Sequence, residues 1–136
     1  MRGFAMRLMH LGLQVHVVDD VTTPAIRRDD LLIVGSGSGR TASLANVARK
    51  AKQEGADVAL VTLSARSAIG DVSDTVIVID APSPKAAGAV ESTSIMPMGS
   101  LFEVALGILF EIVTVQLMQE TGMTSDRMFE RHANLE

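Results

Sequence analysis

No cysteine occurs anywhere in the 136 residues, which excludes disulfide bonds and thiolate chemistry without fixing the compartment. Positive charge is scarce as well. Twelve Lys and Arg face sixteen Asp and Glu, the net charge is −4, and no basic residues gather into a block. Nucleic acid is therefore not an expected partner. No signal-peptide core is present, because Arg2, Arg7 and His10 break up the apolar positions of residues 1–13. The longest greasy stretch, residues 101–118, is interrupted by Glu103, Glu111 and Gln116, which argues against a membrane span. A cytoplasmic enzyme or binding domain is the expectation.

What is present fits a folded chain. Hydrophobic residues make up 47% of the sequence and charged residues 21%, so a single domain with a sizeable core is expected. Apolar spacing predicts a helix over residues 2–11, stopped by Gly12. Residues 14–18 read as a short strand, and Thr22-Thr23-Pro24 as a turn into a short helical piece. An unbroken apolar run predicts a buried strand at 31–34, and 58–63 and 75–79 read as further strands. Between them lie a predicted helix over 41–54, ended by Gly55, and a shorter one over 67–72. Strands alternating with helices imply parallel pairing and a three-layer α/β/α domain. Residues 81–99, with Pro82, Pro84 and Pro97, form a long connection of the kind that serves as a lid. A long helix over 100–120 follows, closed by Gly122 and apolar nearly all round. Such a helix needs cover on more than one side, and in a small protein another subunit supplies it.

The densest chemical signal is Leu31-Leu32-Ile33-Val34-Gly35-Ser36-Gly37-Ser38-Gly39-Arg40-Thr41. An apolar strand ends in glycines and hydroxyls, and a helix follows. Small residues let backbone N–H groups approach an anion, and the helix start aims further N–H groups at it. The pattern is not a P-loop, since Arg40-Thr41 stands where Lys-Ser/Thr is required. Nor is it a dinucleotide fingerprint, since Gly35, Gly37 and Gly39 are spaced by two. A plain glycine-rich connection is the competing reading.

This loop, Ser36-Gly37-Ser38-Gly39-x-Thr41, resembles the phosphate loop of the sugar isomerase (SIS) domain. Four further segments sharpen the resemblance: residues 4–12 (FAMRLMHLG), residues 22–26 (TTPAI), residues 99–103 (GSLFE) and residues 131–136 (RHANLE). Together they are similar to the 6-phospho-3-hexuloisomerase family over essentially the whole chain. Members of that family begin with a helix, a strand and a Gly-x-Gly-Arg-Ser-Gly-type turn that have no counterpart here. The strand lies mid-sheet, between the strands matching residues 14–18 and 31–34. The resemblance thus implies an N-terminally truncated, partial SIS domain over residues 1–136, lacking the first helix and a central strand.

The resemblance implies interconversion of 6-phospho-3-hexulose and fructose 6-phosphate, in formaldehyde assimilation by the ribulose monophosphate pathway. Moving a carbonyl between C3 and C2 needs a phosphate anchor, a general base and a group that carries protons between oxygens. It needs no redox cofactor and, in principle, no metal. Ser36, Gly37, Ser38, Gly39 and Thr41 are expected to hold the phosphate, with Thr62 and Ser64 on the same rim beyond the next strand. Ser64 has the competing role of N-cap to a following helix. Glu103 is the candidate base. Its competing role is a capping box with Ser100, in which a carboxylate committed to a backbone N–H is a poorer base. His132 is the candidate proton shuttle, weighed against a merely decorative tail histidine. His10 and His16 read as structural, Glu111 as partner to a basic group in the buried helix or interface, and Arg40 as an extra charge for phosphate or a solvent-facing residue. A homodimer or homotetramer built on the long helix is expected. Two other readings remain: a sugar-phosphate-sensing SIS module without turnover, and an inactive truncated isomerase.

Overall fold

The computed structural model describes residues 1–82 and 95–135. Most of the connection expected as a lid lies outside the described residues. The chain divides into two compact units, Ala25–Leu106 and a second one formed by Met1–Pro24 with Gly107–Glu136.

In the first unit, strands β1 (Leu31–Gly35), β2 (Asp57–Thr62) and β3 (Thr75–Val78) form a parallel sheet in the order β1-β2-β3. Leu31 pairs with Asp57 and Gly35 with Val61, and Ala59 to Thr62 then pair with Thr75 to Val78. Parallel strands need crossovers, and helix α2 (Ala42–Gln53) supplies the first. Ala45, Ala48 and Ala51 form its buried stripe. Their small side chains let the helix lie close on Leu32, Val34, Val58 and Leu60 of the sheet, with Ile69 sealing the same core. Asp74 ties three elements together. Its carboxylate accepts from the Val58 amide at 2.7 Å and from Lys52 Nζ at 2.8 Å. The Lys52 bond first and the Val58 bond second hold its pKa below the ordinary carboxylate value.

The second unit is helical. Helix α1 (Arg2–His10) ends where Gly12 turns left-handed at φ +88. There the Gly12 and Leu13 amides close onto the Met9 and Leu8 carbonyls. Helix α3 (Ser100–Thr121) begins within the first unit and continues into the second, where Phe110 stacks on Phe4 with ring centroids 4.2 Å apart. Phe102, Leu106, Phe110 and Thr114 form its buried row. Val104, Ile108, Ile112 and Val115 are exposed, so α3 carries apolar residues on two sides, as its sequence led one to expect. Its length and hydropathy would suffice to cross a membrane, yet protein buries one row and Glu111 pairs with Arg7 midway along. A short helix α4 (Ser125–Phe129) follows, with the Thr124 hydroxyl accepting from the Arg127 amide.

Three local expectations fail. Residues 14–18 are not a strand, because an extended segment becomes one only with a ladder partner and no described residue supplies it. No helical piece follows Pro24. The helix expected over 67–72 shrinks to a single 3₁₀ turn, Gly70–Val72, where the Ser67 hydroxyl accepts from the Gly70 amide.

Candidate functional site

The glycine-serine loop sits where β1 gives way to α2, at the carboxyl edge of the sheet. Gly39 has φ +61, and a Cβ built there would lie 2.2 Å from Ser67 Oγ. The turn therefore requires glycine on both conformational and steric grounds. The loop is braced from within and below. Ser36 is buried, and its hydroxyl accepts from the Gly39 amide at 3.2 Å. Thr62 is fully buried, donating to the Gly37 carbonyl at 3.1 Å and accepting from the Ser64 amide. The Leu63 amide also reaches the Gly37 carbonyl, at 3.0 Å.

These contacts sort the expected anchor residues into two groups. Ser36 and Thr62 shape the loop, since their hydroxyls are shielded and already bonded to it. Ser38, Thr41 and Ser64 stand on the accessible side. The Ser38 hydroxyl accepts from the Arg40 amide and retains a proton to donate. Thr41 is the N-cap residue of α2, yet its side chain makes no capping bond. Its hydroxyl and the first-turn amides of α2 are thus left for an outside acceptor. The Ser64 hydroxyl donates to the Arg66 carbonyl at 3.4 Å, and no helix begins there, so the N-cap role expected as its alternative is absent. Arg40 is exposed and donates to the same Arg66 carbonyl, which fixes a cationic group beside the loop.

Phe102 brings the first turn of α3 to this loop. A Cβ at Gly37 would stand 3.3 Å from Phe102 Cδ1 and 3.5 Å from Leu63 Cδ1, so ring and loop are in close packing. Glu103, the next residue, is exposed and has no hydrogen-bond or ion-pair partner among the described residues. The capping box does not form. Ser100 is itself helical at φ −60 and ψ −20, and its shielded hydroxyl finds no partner among the described residues. The chain enters α3 through two left-handed residues, Met98 at φ 55 and Gly99 at φ 82, so the box geometry is unavailable. Glu103 is therefore not consumed as a cap.

His132 lies in the other unit. Its ring stacks on His10 at 5.4 Å and on Phe129 at 5.8 Å. Glu111 does pair with a basic group, Arg7 at 3.3 Å, although at the surface and not in a buried setting. His10 is structural in its setting, being buried at 5% exposure. A shallow groove of about 250 Å³ in the helical unit, lined by Arg2, Met6, Met9, His16 and Thr23 among others, contains none of the expected site residues. Sequence reasoning missed Ser67 beneath Gly39, Phe102 against Gly37, and Arg131, which reaches the end of α1. Phe102 and Arg131 left a trace in the sequence, within the GSLFE and RHANLE segments, and Ser67 only as the start of the helix expected over 67–72.

Comparison with known proteins shows the family of the chain. The SIS domain model matches residues 3–106. The 3-hexulose-6-phosphate isomerase of Bacillus subtilis (strain 168) is 44% identical over 135 residues, covering 99% of this chain and 72% of that protein. The enzyme of the same name from Mycobacterium gastri is 42% identical over 136 residues, covering all of this chain and 67% of its relative. A crystal structure from Methanococcus jannaschii, to which the function of 3-hexulose-6-phosphate isomerase has been inferred, superimposes with a TM-score of 0.86. Its sequence identity is 34%, with 99% of this chain and 71% of that one covered. The chain belongs to the SIS domain family and, within it, groups with the 3-hexulose-6-phosphate isomerases.

Proposed function

We propose that this chain interconverts 6-phospho-3-hexulose and fructose 6-phosphate, in the cytoplasm and as a step of formaldehyde assimilation by the ribulose monophosphate pathway. The phosphate rests on the Ser38 and Thr41 hydroxyls and the first-turn amides of α2, within reach of the Arg40 charge. Glu103 takes the proton from C2 of the 3-keto sugar. The electron pair forms an enediolate across C2 and C3, His132 carries the hydroxyl proton from O2 to O3, and Glu103 returns its proton to C3. The carbonyl then stands at C2, with atoms and electrons balanced and no redox cofactor consumed.

One observation carries this reading: a carboxylate without a partner among the described residues, on a helix turn that Phe102 packs against Gly37 of the glycine-serine loop. The test is Glu103→Gln. Without a capping bond to lose, the variant should melt with the parent. Its turnover of fructose 6-phosphate should fall at least ~10²-fold, and solvent deuterium should enter the sugar carbons correspondingly slowly. Full turnover would remove Glu103 from the chemistry and pass the role of base to His132.

The working form is a homodimer or homotetramer. The exposed row Val104, Ile108, Ile112 and Val115 supports this, because it is the side of α3 that the chain's own core leaves uncovered.

A further inference from the structure

The end of α1 and the C-terminal tail are joined by contacts of several kinds. The last carbonyls of a helix lack internal donors and carry partial negative charge, so they attract a cation. Arg131 fills that role. Its Nη1 donates to the His10 carbonyl at 3.4 Å and back to the Arg127 carbonyl at 3.4 Å. The guanidinium lies along Gly12, where a Cβ would come within 3.2 Å of Nη2. Beside it, His132 is held between two rings, His10 and Phe129.

We propose that His10 and Arg131 are positioning residues: they dock the tail on the end of α1, fix the orientation of the His132 ring, and release it when the buried His10 ring takes up a proton. The catalytic part rests on the reading of His132 as proton shuttle. The docking rests only on the contacts above.

The acid sensitivity follows from the surroundings. The charged groups about His10 are Arg7 on its own helix, which also pairs with Glu111 of α3, and Arg131 from the tail, with the His132 ring stacked on it. Among the described residues, the other charges of the tail, Asp126, Arg127 and Glu130, are on or next to α4 and exposed. A proton on His10 thus enters a buried site of mainly like charge. Burial first, then His132 and Arg7, hold its pKa below the usual imidazole value. A free tail leaves His10 hydrated, so the undocked state binds more protons than the docked one. Docking therefore weakens as the pH falls from the ordinary imidazole value toward the depressed one.

Hydrogen–deuterium exchange of the amides of residues 128–132 in the full chain tests this, at about pH 8 and about pH 5.5 on either side of the imidazole range and corrected for intrinsic rates. In the parent, protection should drop on the order of tenfold at the acidic value. His10→Phe keeps a ring but no titrating group, and should remain protected at both. His10→Ala and Arg131→Ala should lose protection at both. An equal acid response in the parent and His10→Phe would overturn the switch, and full protection in both alanine variants would overturn the docking. With fructose 6-phosphate, His10→Ala should lower kcat while leaving KM unchanged, since His10 holds no phosphate. His132→Asn with full kcat would sink the shuttle reading and the catalytic purpose of the docking, while the exchange data would still decide the docking itself.

Discussion

The two units of this chain bury their apolar residues very differently. In the unit of residues 25–106, Ala48, Ala56, Val58, Leu60 and Ile69 are inaccessible to solvent, packed between α2 and the sheet. In the helical unit, Met6, Met9, Leu13, Ile108, Ile112 and Val115 stay at least two-fifths exposed, and Phe4 with Phe110 forms its main apolar contact. The α/β unit buries the sheet face that α2 covers, although Leu31, Ile77 and Val78 stay exposed, and its glycine-serine loop is braced by buried hydroxyls. The helical unit leaves a greasy face open and fastens its tail with stacking and cation contacts. The expected anchor loop and Glu103 both belong to the α/β unit, and His132 belongs to the helical one.

The largest expected effect breaks the rigid side of this contrast. Gly39→Ala forces a side chain into a left-handed position and onto Ser67. Left-handed strain of about 1–2 kcal/mol and overpacking of about 1–3 kcal/mol together suggest a loss of about 2–5 kcal/mol, read by denaturant unfolding. An unchanged midpoint would mean that the loop is soft after all.

Next comes Thr41→Ala. It removes one hydroxyl from the anion without touching the core. A lost hydrogen bond to a charged group is worth about 1.5–3 kcal/mol, so KM for fructose 6-phosphate should rise roughly tenfold or more while kcat is little changed. If KM does not move, the phosphate lies elsewhere.

Asp74→Asn sharpens the contrast through pH. The folded-state pKa of Asp74 is depressed, so its stabilisation is present above the ordinary carboxylate value and is lost as the pH falls through the depressed one. In the parent, thermal stability should decline across that acidic window, and the Asn variant should show a shallower decline. Parallel curves would show that the Lys52–Asp74–Val58 tie is energetically silent.

The smallest effect on folding is expected for Ile108→Gln with Ile112→Gln. Both side chains are more than half exposed, so the stability of the dissociated chain should change by no more than about 0.5 kcal/mol each. The mass by light scattering should fall, because the exposed row is the surface that a second copy would cover. An unchanged oligomer would place the contact on another face.

Much of this fold was legible from residue order alone. The apolar runs at β1, β2 and β3, the 3.6-residue spacing of α2 and the glycines after α1, α2 and α3 are local signals. Each follows from chain chirality and from the period of one element, so no distant residue is needed to read it. The glycine-serine loop belongs to this class, since a strand ending in small residues before a helix has few possible shapes. What only the tertiary structure decided depends on partners far apart in the chain. Residues 14–18 have strand-like composition and no ladder partner. Ser100 and Glu103 match a capping box, yet Met98 and Gly99 bring the chain in at the wrong angle. Thr62 has the chemistry of a ligand donor and is spent on the carbonyl of Gly37, 25 residues away. Arg131 meets the carbonyl of His10 across 121 residues. A side chain's chemistry is written in its own residue, but whether that chemistry is free, buried or already engaged is settled by what folding brings next to it.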